Sequence, residues 1–209
     1  MSEIKLSADS GGGTTSLKGP ASTTGNAALA YTLPNATTGG VIRTTTTPGA
    51  IIQVTNTTTD TIQTLAATNQ WLDSLITCAI TPSSTSNKIL ISLTATGEGN
   101  AADQNRFTHR IKKVISGGAT TYLAGDETDR VGLLGSTGDL SNNATTSASS
   151  FSVSNYMDSP STTSAVTYTL QITFDNATGA GTYYLNRNAS DGTGGPRYIS
   201  WITLMEVAG

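Results

Sequence analysis

Between Ser164 and Val207 apolar and polar residues alternate along most of the chain, and this alternation predicts strands. Val166, Tyr168, Leu170, Ile172 and Phe174 take turns with Thr167, Thr169, Gln171, Thr173 and Asp175, the period of a strand with one buried face. Asn176-Ala-Thr-Gly-Ala-Gly181 supplies the Asn and Gly that turns need, and Thr182 to Asn188 returns as a second strand. After a Gly-rich loop, Asp191 to Pro196, the stretch Arg197 to Val207 is apolar on both faces: Ile199, Trp201, Met205 and Val207 on one, Tyr198, Ile202 and Leu204 on the other. Such a strand calls for two covers. In a two-layer sandwich the opposite sheet provides one, and the second is another subunit or a long loop of the same chain. The two faces compete for the subunit contact, and Tyr198, Ile202 and Leu204 are the expected interface residues.

Upstream, Ala50-Ile-Ile-Gln-Val54, Trp71 to Thr81 and Lys88 to Thr96 read as strands, the last with Ile89, Ile91, Leu93 and Ala95 on one face. Arg106 to Ile115 alternates through Phe107, His109 and Ile111, and Phe151 and Val153 mark a further strand. About nine strands at this spacing predict an all-β antiparallel sandwich over 49–209. Residues 1–48 differ. Ile4 and Leu6, then Leu29, Tyr31 and Leu33, alternate in short extended pieces with too few apolar residues to offset their ordering entropy alone. This segment calls for a partner, and Thr44-Thr-Thr-Thr-Pro48 reads as the linker behind it.

Composition sharpens the fold class and narrows the chemistry. Only 36% of the 209 residues are hydrophobic and 12% charged, with Thr, Ser, Gly and Asn filling the rest, which suits short strands and polar loops rather than helices. The net charge of -3 and the lack of a Lys/Arg cluster argue against nucleic acid as a partner. Arg106, Arg110, Lys112 and Lys113 read as a solvated strand face. No apolar run has the length of a membrane span, and Met1-Ser-Glu-Ile-Lys lacks the core of a signal peptide, so synthesis in a cytoplasm and no membrane insertion are expected. Cys78, the one cysteine, alternates with Ile76 and Ile80 as a small core residue.

No constellation points to catalysis. His109 is the single histidine, and neither a G-x-S-x-G elbow nor an H-E-x-x-H motif is present. Asp103-Gln-Asn105 and Gly125-Asp-Glu-Thr-Asp129 lack calcium-loop spacing and read as solvated loops. No enzyme activity, cofactor or metal is expected. Tyr122, Tyr183, Tyr184, Tyr198 and Trp201 offer flat rings to a sugar, which keeps a glycan-binding module open as the alternative function.

Gly49-Ala-Ile-Ile-Gln-Val54, Ile80-Thr-Pro-Ser-Ser-Thr-Ser86 running into Lys88-Ile-Leu90, Asp158-Ser-Pro160, Tyr168, Tyr184-Leu-Asn-Arg187 and Ser200-Trp-Ile-Thr-Leu-Met-Glu206 together resemble a domain of fibre-type and other virion structural proteins of tailed phages, particularly those of cyanobacteria and other aquatic bacteria. Ile4-Lys-Leu6, Ser16-Leu-Lys-Gly-Pro20 and Tyr31-Thr-Leu-Pro34 resemble the N-terminal segments of such proteins. The resemblance implies a homotrimer on the virion surface, as tail fibre, head fibre or capsid decoration, with a jelly-roll-like C-terminal domain. It also implies an N-terminal attachment segment that joins other capsid or tail proteins. The absence of a shaft or repeated spiral argues against a far-reaching probe.

Overall fold

The computed structural model describes residues 3–7, 14–18, 48–67, 70–100, 105–123, 135–140, 147–175 and 181–209. The chain divides into two compact units, Met1–Arg43 and Thr44–Gly209. In the first, β1 (Glu3–Ser7) pairs with β2 (Thr14–Lys18) as an antiparallel hairpin. The second is all-β among its described residues.

Its strands are β3 (Ile51–Thr59), β4 (Gln63–Ala67), β5 (Leu72–Ile80), β6 (Lys88–Asn100), β7 (Asn105–Ile115), β8 (Thr120–Leu123), β9 (Gly135–Leu140), β10 (Ser147–Asp158), β11 (Val166–Asp175), β12 (Gly181–Leu185) and β13 (Ser200–Val207). They form two antiparallel sheets. In the first, β6 pairs with β10 along one edge and with β13 and β12 in tandem along the other, and these two pair in turn with β3 and β4. In the second, β7 lies between β11 and the tandem β8 and β9, and β11 pairs onward to β5. Counting each tandem as one strand, the first pairs with the last, the second with the seventh, the third with the sixth and the fourth with the fifth. This folded-over ribbon is a jelly roll, the sandwich the alternation predicts.

The inner faces supply the core. Inward positions of β6 run Ile89, Ile91, Leu93, Ala95, Gly97, Gly99, from large to small. The space released at the small end is filled by rings. Phe107 and Tyr183 meet edge to face at 5.2 Å, and His109 stacks on Phe151 at 4.2 Å. A Cβ on Gly99 would lie 2.0 Å from the Phe107 ring, and one on Gly97 2.3 Å from the Tyr184 carbonyl oxygen. Glycine is required at both positions by this close approach. His109 is fully buried in the core. Cys78 is buried too, as its alternation predicts, with its sulfur 3.5 Å from Thr55 Oγ1.

Between β12 and β13 the chain leaves the sheet as a loop over 186–199, and its two ends are held by a polar clasp. Asn186, at φ 62°, donates through Nδ2 to the carbonyls of Thr59 and Thr61, and its Oδ1 accepts from Ser200 Oγ at 2.6 Å. The Thr96 N–H donates to that same Ser200 oxygen, and the Asn186 N–H to the Thr96 carbonyl. Both side chains are fully buried, and their bonds offset the desolvation that burial imposes.

Candidate assembly surface

The interface expectation for β13 is corrected by its register. Ile202 and Leu204 are fully buried in the core of the sandwich itself, facing the second sheet. Tyr198 lies partly buried on the loop before β13, its N–H donating to the Asn186 carbonyl. The opposite face of the strand is the one left open. Directly paired residues of antiparallel strands share a face, and the pairings Val54 with Met205, Met205 with Leu90, and Leu90 with Met157 draw one apolar row across β3, β13, β6 and β10. Val54 is 54% exposed, Met157 44% and Trp201, two positions along β13 from Thr203, 36%.

Toward Thr203 the flanking rows are mostly polar and neutral, and toward the other end the next row is Ile51, Val207 and Lys88. Asn56 Nδ2 donates to Thr203 Oγ1 at 2.8 Å, Thr58 Oγ1 to Asn56 Oδ1 at 2.9 Å, and Thr94 lies 3.2 Å from Ser152. Between Lys88 and Glu98, at the two ends of β6, the outward positions of β3, β13, β6 and β10 carry no charge among the described residues. Such a face can meet an apolar surface without desolvating an ion.

The outward face of the second sheet is different in kind. Arg110 is clamped between Trp71 at 4.1 Å and Tyr122 at 3.6 Å, and its Nε donates to Gln171 Oε1 at 2.7 Å. Gln171 passes a bond to Asp73 Oδ1, and Asp73 is also ion-paired with Lys112. Burial raises the Asp73 carboxyl, but the bonds from Lys112 and Gln171 and the positive charges of Lys112 and Arg110 outweigh it and hold the group below its ordinary value.

Two buried carboxylates tie the sandwich together. Glu206 accepts from Ser83 N–H, Ser83 Oγ, Asn87 Nδ2 and Gln53 Nε2, at 2.5 to 2.8 Å. Burial raises this carboxyl, but those bonds outweigh it and its pKa is lowered. Asp158, at the end of β10, is ion-paired with Lys113 of β7 and accepts from the Tyr168 hydroxyl at 2.7 Å. Lys113 therefore points into the sandwich, and Arg110, though outward, is buried between its two rings, which corrects the expected solvated face for both; Lys112 lies outward, and the Arg106 side chain falls outside the described residues.

The proposed sugar-facing rings are not gathered together. Tyr122 packs on Arg110, Tyr183 is core, Tyr184 carries Arg187 over its ring at 4.2 Å, and Trp201 belongs to the opposite sheet's outer face. Trp71, which sequence reasoning left out, does stand beside Tyr122, across Arg110. Asp103 and Gly125–Asp129 lie outside the described residues, and among the described residues no cluster of metal-ligating side chains occurs.

No family model matches the chain, and no curated protein matches it. Among solved structures it is similar to a chain in the structure of infectious bursal disease virus, Gt strain, with 10% identity and a TM-score of 0.41 over 75% of this chain and 38% of that one. A Gx-strain structure of the same virus gives 12% identity and 0.38 over 76% and 39%, and the VP2 subviral particle of that virus 11% and 0.32 over 75% and 38%. This chain spans less than two-fifths of the length of each viral chain it overlaps, and likeness at this level bears no argument about activity or assembly.

Proposed function

We propose that this chain is a structural protein of a tailed-phage virion: a homotrimer displayed on the capsid or tail, with residues 49–209 forming the assembly domain and residues 1–48 the attachment segment to other virion proteins. The observation that carries this reading is the open, uncharged apolar row Val54–Met205–Leu90–Met157. A soluble sandwich leaves such a row in water at a cost, and burying it in a neighbour recovers about 1 kcal/mol or more per large side chain. The sequence resemblance supplies the virion context, and the work is mechanical, with no catalysis, cofactor or nucleic acid involved. Light scattering on the full-length protein tests the reading. A trimer that falls to monomers in Val54→Asp/Met205→Asp supports it, and a wild-type monomer sinks it.

A second reading, a receptor-binding module for a host surface glycan, rests on Trp71 and Tyr122 flanking Arg110 on the other sheet. Aromatic faces beside bidentate donors suit sugar rings. A glycan array without hits at high protein concentration removes it.

A further inference from the structure

Lys113, Asp158 and Tyr168 make a constellation that assembly does not use. Lys113 belongs to β7 and is register partner of Tyr168 on β11, while Asp158 ends β10 beside Ile89 in the other sheet. The amine and the carboxyl thus meet across the sandwich. Lys113 Nζ lies 3.0 Å from Asp158 Oδ1 and 3.1 Å from Oδ2, with only 13% and 10% of the two side chains exposed. The Tyr168 hydroxyl, itself fully buried, donates to Oδ2 at 2.7 Å.

We propose that this site closes on itself into an isopeptide bond between Lys113 Nζ and Asp158 Cγ, so that the two sheets are covalently joined. The amine is held against both oxygens of the carboxyl whose carbon it must reach, so the two groups gain the advantage of an intramolecular reaction. Turning the carboxyl about its soft Cβ–Cγ torsion presents the carbon to the amine. A proton passes from the ammonium to Oδ1 along the existing hydrogen bond, leaving a neutral amine and a carboxylic acid. The nitrogen lone pair then adds to Cγ, and Oδ2 takes the developing negative charge under the Tyr168 hydroxyl. Loss of a second proton from nitrogen and departure of Oδ1 as water complete the amide. Both protons on that water come from the ammonium, charge is conserved, and no other reactant is consumed.

Burial first, then the Asp158 charge and its hydrogen bond, raise the Tyr168 phenol above its ordinary range, which keeps the hydroxyl protonated as a donor. The experiment is the intact mass of the denatured full-length chain, followed by a tryptic map. A mass one water below that of the sequence, and a branched peptide joining the segments that hold Lys113 and Asp158, are the expected results. Full sequence mass with ordinary cleavage after Lys113 overturns the proposal, and this readout needs no variant to fold. Asp158→Ala and Lys113→Arg should each restore the full mass. Tyr168→Phe should slow the loss of water from freshly synthesised chain, followed by mass against time, by about a hundredfold, and an unchanged rate overturns the role given to its hydroxyl.

Discussion

The two outward faces of the sandwich are built on similar antiparallel ladders and solve opposite problems. The face of β3, β13, β6 and β10 is neutral, with an apolar row left in water. That of β5, β11 and β7 is charged, and its long side chains satisfy one another: Trp71 and Tyr122 cover Arg110, Arg110 bonds Gln171, and Gln171 and Lys112 bond Asp73. On one surface the long polar side chains are partnered within the sheet; on the other an apolar row stands exposed. Polar content alone does not separate them, since both carry many Thr and Ser. What separates them is whether the long side chains have partners on their own sheet.

The sharpest way to break this comparison is at adjacent residues of β13. Leu204→Asp places an unpaired charge in the core and should cost about 4 kcal/mol or more, enough to abolish the cooperative thermal transition. Met205→Asp, one residue on, should leave protomer stability within about 0.5 kcal/mol while lowering the mass seen by light scattering. Equal loss of fold in both would mean that the outer row is part of the core.

Glu206 comes next. Glu206→Gln weakens several charge-assisted bonds, and a loss of about 2 kcal/mol at neutral pH is expected in urea unfolding. Because the folded carboxyl titrates below its ordinary value of 4.5, its contribution is fully present above that pH and is lost as pH falls through the lower folded value. The wild type should therefore lose stability in acid faster than Glu206→Gln, while the neutral assembly face gives an association that changes little over the same range.

On the charged face, Arg110→Ala removes a cation between two rings and a bond to Gln171, for about 1–2 kcal/mol in the same assay. Lys112→Ala should be the mildest, within about 0.5 kcal/mol and fading in high salt, because its partner Asp73 is half exposed.

The alternation of β11 and β6 was legible from the sequence because their inward residues are apolar almost without interruption. The alternation of β13 is legible as well, but not which face turns inward: both faces carry apolar residues, and the inward row of Ser200, Ile202, Leu204 and Glu206 has polar ends whose partners, Asn186 and the Ser83–Asn87 turn, lie elsewhere in the chain. Lys113 was legible in principle, since it shares parity with Phe107, His109 and Ile111. The Trp71–Arg110–Tyr122 clamp left no local trace, as its members sit on three separate stretches of chain. Glycines 97 and 99 likewise reveal their purpose only when the rings of Phe107 and Tyr183 are placed against them.

The Asn186–Ser200 clasp has a consequence for how this protein can change. Because both stems of the 186–199 loop are pinned beneath the sheet by buried bonds, the exposed tip from Asp191 to Pro196 can be lengthened or exchanged while the ladder on either side keeps its register. The fold thus carries a port at which new sequence can be inserted, and an epitope tag or a foreign recognition peptide grafted there would be displayed without redesigning the sandwich beneath it.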